Sequence, residues 1–99
     1  METVIVFYKG PPTPPNAWHE KWPAWFSKVA DHLVDRGSPM QHGLVLHKDG
    51  STRDSATNFN GYSIIQAENL DEALNLLKDH PFLTLGTEEF TVEVFELPG

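Results

Sequence analysis

The sequence predicts a single α+β domain. Three observations carry that reading: short periodic segments follow one another in the order β, α, β, β, α, β; the 99 residues leave room for one core only; and no linker or repeat divides them.

Thr3 to Tyr8 is rich in β-branched and aromatic residues and reads as the first strand, which Lys9-Gly10-Pro11-Pro12 ends by removing donors and fixing φ. Between Asn16 and Gly37 the large apolar residues Trp18, Trp22, Trp25, Phe26, Val29 and Leu33 fall on one stripe at about 100° per residue, which predicts an amphipathic helix. Pro23 suits a first turn, so the regular helix is expected to begin near Trp22 or to kink there, and Gly37 supplies its stop. Gly43 to His47 reads as a strand, Lys48 to Asn58 with its Asp49-Gly50 turn signal as a hairpin connection, and Gly61 to Ala67 as the partner strand. Asn69 followed by Glu72 has capping-box spacing, ahead of an apolar face of Leu70, Ala73, Leu74 and Leu77 that Pro81 brings to an end. Phe90 to Leu97 closes the chain as a strand, with Phe90, Val92 and Val94 on one face and Thr91, Glu93 and Phe95 on the other.

That order is the ferredoxin-like βαββαβ arrangement, in which two helices cover one face of a four-stranded antiparallel sheet. Ile5, Phe7, Ile65, Phe95 and Leu97 alternate with Val4, Val6, Ile64, Val92 and Val94, so the strands are apolar on both faces and call for a second layer, most simply an identical subunit.

Composition narrows the function classes. Fourteen acidic against seven basic side chains give a formal charge of -7, which repels phosphate backbones and anionic lipid, so neither nucleic acid nor membrane is an expected partner. Without cysteine, disulfide scaffolds, thiolate nucleophiles and thiolate metal sites are excluded. Met1 to Tyr8 carries no basic leader or signal-length apolar run, and the expected location is the cytoplasm. Phosphate loops, dinucleotide glycine fingerprints and hydrolase elbows are missing, and Ser63 lies inside a strand with no nucleophile turn around it.

Three stretches carry a resemblance: Gly61-Tyr62-Ser63-Ile64-Ile65-Gln66-Ala67 with Asn69-Leu70-Asp71-Glu72-Ala73, then His80-Pro81, then Phe90-Thr91-Val92-Glu93-Val94. With the Trp-rich first helix and His42-Gly43, they resemble the YCII-related family of the dimeric α+β barrel class over nearly the whole chain. The resemblance implies a homodimer whose sheets pack together and a pocket in each subunit. Some members carry a His on the first helix and an Asp before the Pro at the second helix exit, a pair proposed for acid and base work. The matching positions here fall at or beside Phe26 and at His80, so the pair is not reproduced.

The five histidines do not fall at chelating spacing, and no metal or other cofactor is expected. His42 and His47 would point to opposite faces of one strand, while His19 and His32 stand thirteen residues apart, about 220° around an ideal helix. His80, at a helix exit beside Pro81, is the catalytic candidate: either a general base at a pocket mouth or a C-terminal cap on the preceding helix. Trp18, Trp22 and Trp25 offer an aromatic wall for a flat ligand or simply core, and Trp22 or Phe26 is the first-helix ring expected against His80. Tyr8, Tyr62 and His42 offer polar groups to orient a ligand. Two function classes follow: a small cofactor-free enzyme performing proton transfer on a small organic molecule, or a non-catalytic dimeric module using the same pocket.

Overall fold

The computed structural model describes residues 1–11, 21–40, 43–56, 59–84 and 88–98. In chain order its elements are β1 (Glu2–Lys9), α1 (Lys21–Lys28), a 3-10 turn (Ala30–His32), β2 (Leu33–Pro39), β3 (Leu44–Leu46), β4 (Thr52–Asp54), β5 (Phe59–Ala67), α2 (Leu70–Leu77), α3 (Pro81–Thr84) and β6 (Thr91–Leu97). The main sheet has the order β2-β5-β1-β6, and every neighbouring pair is antiparallel. With β3 and β4 set aside as an inserted hairpin, the domain is α+β with the strand order of a ferredoxin-like fold.

The first helix is shorter than its apolar stripe predicts. It ends at Lys28, Val29 leads into the 3-10 turn, and Leu33 opens a strand instead of closing a helix. The stripe could not distinguish the two. Val29 is fully buried, and Leu33, opposite Ile65 in the β2–β5 ladder, packs on the same core as a strand residue. Gly37 is therefore no helix stop. It sits in an irregular stretch of β2 at φ +83°, with its N–H donating to Asp35 Oδ1 at 2.8 Å. A Cβ there would lie 1.7 Å from the Tyr62 carbonyl oxygen.

The second strand assignment also changes. Leu44–Leu46 pairs with Thr52–Asp54 in a sheet of its own, whereas β5 pairs with β2 and β1. The Asp49-Gly50 turn is where the sequence puts it, with Gly50 at φ +90° and Asp49 Oδ1 accepting from Ser51 N–H. A local turn signal locates a hairpin, but it does not say which distant strand completes the sheet.

On the helical face, Val4, Val6, Tyr8, Ile65 and Ala67 pack against Trp25, Val29, Ala73, Leu77 and Phe82. Val4 faces Ile65 and Ile5 faces Ile64 across the ladder, so Ile65 belongs with the valines and Ile64 with Ile5, the reverse of the sequence-based grouping. Asn69 caps α2 by accepting from Glu72 N–H at 2.9 Å, and Glu72 Oε1 accepts in turn from Glu68 N–H at 3.1 Å. The opposite face carries Ile5, Phe7, Ile64 and Phe59, half-buried, with Phe95 50% and Leu97 36% exposed. Among the described residues no helix is long and apolar enough to cross a membrane.

Phe26 lies at the margin of the core, half-buried, with the Arg36 guanidinium 4.4 Å over its ring. Full burial would make Phe26→Ala cost about 3–5 kcal/mol; the marginal position lowers the expected loss to about 1–2 kcal/mol. Urea denaturation checks this, and a loss above 3 kcal/mol would put Phe26 inside the core.

Candidate functional site

The turn between α2 and α3 folds His80 inward. Its backbone N–H donates to Leu77 O at 3.0 Å, while its carbonyl accepts from Leu83 N–H and Thr84 N–H at 2.9 and 3.1 Å, so the main chain clamps both helix ends. The ring is fully buried, and Nδ1 accepts the Phe82 N–H at 3.0 Å. Pro81 is then the first residue of α3 and His80 its N-cap, holding the donor two residues on. His80 thus caps the start of the following helix, not the end of the preceding one.

This cap fixes the tautomer. A nitrogen that accepts a backbone N–H carries no proton, which leaves the proton of the neutral ring on Nε2. Nε2 is buried and has no hydrogen-bond partner among the described residues. Four aromatic rings enclose the imidazole: Tyr8 stacks on it at 4.4 Å, and Trp22, Trp25 and Phe82 stand edge-on at 4.6, 4.5 and 5.4 Å. Burial in this apolar box pushes the His80 pKa down to about 3. The ring is therefore uncharged near neutral pH and far too weak a base to take a proton there, but it keeps one N–H to give as a hydrogen bond.

Tyr8 is committed elsewhere. Its hydroxyl donates to Ser63 Oγ at 2.8 Å, and Ser63 Oγ donates to Arg36 O at 2.7 Å, tying β1 through β5 to the irregular part of β2. Burial, partly opposed by the Ser63 bond, pushes the phenol up to about 12. Ser63 is thus a buried relay in a structural chain. The sequence, which gives no nucleophile turn around Ser63, does not show this role because Tyr8 and Ser63 stand 55 residues apart and meet only through the β1–β5 register.

Trp22 touches both Tyr8 and His80, and Phe26 packs on Trp22 and Trp25 without reaching His80. Trp25, read from sequence as aromatic wall or core, is the more informative tryptophan: it is 3% exposed, and its indole Nε1 also lacks a partner among the described residues. Tyr62 pairs with Phe7 and so lies on the opposite face of the sheet from Tyr8 and His80. His42 lies outside the described residues, as do Trp18 and His19. His32 Nδ1 lies 2.9 Å from Gln66 O, and His47 is exposed on the inserted hairpin. No group of three or more His, Cys, Asp or Glu able to hold a metal ion occurs among the described residues.

Outside the aromatic box, α1 and α3 flank a cleft of about 310 Å³ lined by Lys21, Ala24, Trp25, Lys28, Asp79, Pro81 and Thr84. Lys28 and Asp79 form an ion pair across it.

Among solved structures the chain is similar to 5-chloro-2-hydroxyhydroquinone dehydrochlorinase (TftG) from Burkholderia phenoliruptrix AC1100 in complex with 2,5-dihydroxybenzoquinone, with 18% identity, a TM-score of 0.51 and coverage of 92% of this chain and 90% of that one. At that identity the likeness speaks for the fold. No curated protein matches the chain. The model of the YCII-related domain matches residues 1–96, essentially the whole domain just described, and the chain belongs to the YCII-related domain family.

Proposed function

We propose that the protein is a cytoplasmic homodimer and a cofactor-free enzyme acting on a small, planar, oxygenated organic molecule, with His80 as a neutral hydrogen-bond donor to a substrate oxygen. The observation that carries this reading is the His80 imidazole, with Nδ1 held by Phe82 N–H and Nε2 without a partner among the described residues, within an aromatic box. An uncharged N–H aimed at a carbonyl or phenolic oxygen stabilises the negative charge that develops there when a neighbouring proton leaves to solvent. His80 then belongs to the proton-transfer chemistry as electrophile, and its low pKa removes it as the base. The dehydrochlorinase of similar fold has a hydroxylated, chlorinated ring as the substrate in its name, a molecule of this class.

Chloride release from 5-chloro-2-hydroxyhydroquinone tests the reading. Wild-type protein is expected to turn it over, and His80→Phe, which preserves an aromatic ring, to be at least about 100-fold slower. Equal rates in the two proteins would remove His80 from the chemistry. Complete burial of the His80 ring favours one second reading, a dimeric binding module, whose signature is binding of such rings with no turnover.

The homodimer is supported by the second sheet face, where Phe95 and Leu97 remain exposed beside Ile5, Phe7 and Ile64. Light scattering is expected to give twice the chain mass of 11.1 kDa. A monodisperse monomer at micromolar concentration would overturn it.

A further inference from the structure

We infer that the cleft between α1 and α3 is the entrance to a binding site for a small organic anion, whose oxygen is held by the N–H groups of Trp25 and His80 that find no partner among the described residues. This rests on the reading of the aromatic box as a site for a small oxygenated molecule and adds its entrance, its second donor and its charge preference.

Buried polar groups are nearly always paired, so a lone buried donor needs an explanation. Here two belong to neighbouring rings: Trp25 Nε1 and His80 Nε2 are both buried, both lack a partner among the described residues, and their ring centroids stand 4.5 Å apart. Both are donors. Among the described residues, three acceptors around the rings are engaged: His80 Nδ1 and the His80 carbonyl by backbone N–H groups of α3, and Ser63 Oγ by the Tyr8 hydroxyl. What completes the site is an acceptor oxygen brought from outside.

The cleft supplies the route. Asp79 and Pro81, the residues on either side of His80, line it, and Trp25 forms its wall against the imidazole. The Trp25 ring therefore stands at the cleft and the His80 ring directly behind it, and the site as inferred requires the Trp25 ring to turn for both N–H groups to meet a ligand there. A cleft of about 310 Å³ suits one aromatic ring, at the small end of ligand pockets. Its rim runs against the charge of the chain: within a domain of formal charge -7 it carries Lys21 and Lys28, and Lys28 already holds a carboxylate, that of Asp79. An anionic ligand takes the place of Asp79 on Lys28 while its far oxygen reaches the donors. A single-ring phenolate or carboxylate satisfies both ends.

Titration of ¹⁵N-labelled protein with 4-hydroxybenzoate, against 4-hydroxybenzamide as the neutral isostere, tests this. The Trp25 indole and His80 imidazole N–H resonances are expected to move downfield together and saturably with the acid, with binding about tenfold weaker for the amide and for Lys28→Met. Lys28 is exposed, so its replacement leaves the fold intact. Shifts confined to other residues would overturn the inference while leaving small-molecule binding standing. Equal affinity for acid, amide and Lys28→Met would overturn the preference for anions. If both N–H resonances move but chloride is never released from the chlorinated hydroquinone, the binding site stands and the proposed reaction falls.

Discussion

Gly37→Ala is expected to destabilise the domain by roughly 3–6 kcal/mol, enough to unfold a chain of ordinary stability. Two penalties combine. A side chain at φ +83° adds about 1–2 kcal/mol of backbone strain. The larger penalty is steric, because the new Cβ would stand 1.7 Å from the Tyr62 carbonyl oxygen and 2.5 Å from its carbon, both backbone atoms of β5 that no side-chain rotation can clear. β2 must lift away from β5, and the Ser63 to Arg36 bond that anchors the Tyr8 hydroxyl goes with it. Asp35→Ala, which removes only the bond to Gly37 N–H, provides the control and should lose about 1 kcal/mol. Far-UV circular dichroism and urea denaturation check both, and a Gly37→Ala protein within 1 kcal/mol of wild type would mean that the two strands are not in the contact described.

The same residue shows where sequence reading ran out. A glycine at the end of an apolar stripe has the form of a helix stop, and the positive φ such a stop uses is present. Its cause is an approach to a strand 25 residues further on, which no local pattern records. Terminal strands were legible because their alternation is local: β1 and β6 fall within a residue or two of the segments read from Thr3–Tyr8 and Phe90–Leu97. The α2 cap was legible for the same reason, since Asn69 and Glu72, three residues apart, make its capping bond. β2 was not. Leu-Val-Asp-Arg-Gly-Ser-Pro has no alternation, and as an irregular edge strand it takes its shape from β5.

The site followed the same division. His80 was legible as special, since an imidazole between a helix end and a proline stands where backbone groups need partners. Which helix it serves depends on the four-residue α3, too short to leave a periodic trace. The enclosure was invisible for another reason. Tyr8, Trp22, Trp25 and Phe82 come from three separate stretches of chain, and only the folded sheet brings them around the ring.

That enclosure makes His80 an acid-sensitive element of stability. Its pKa falls from 6.5 to about 3 on folding because the apolar box disfavours the imidazolium; protonation of Nδ1 would also break the bond from Phe82 N–H. The sign follows from linkage. Between those values the unfolded chain holds a proton that the native state does not, so acid favours unfolding. The His80 contribution is fully present above about pH 6.5 and declines as pH falls, approaching a slope of about 1.4 kcal/mol per pH unit and a total of a few kcal/mol toward the folded pKa. Asn at this position keeps an N-cap acceptor and does not titrate. Urea unfolding of wild type and His80→Asn from pH 7.5 to 4.5 should therefore give curves that run parallel above pH 7 and converge in acid, with the slopes differing by close to one proton. A fixed loss from the smaller side chain shifts the Asn curve without altering that difference. Curves that stay parallel to pH 4.5 would show that His80 titrates alike in both states, and neither its burial nor its role as a neutral donor would survive that result.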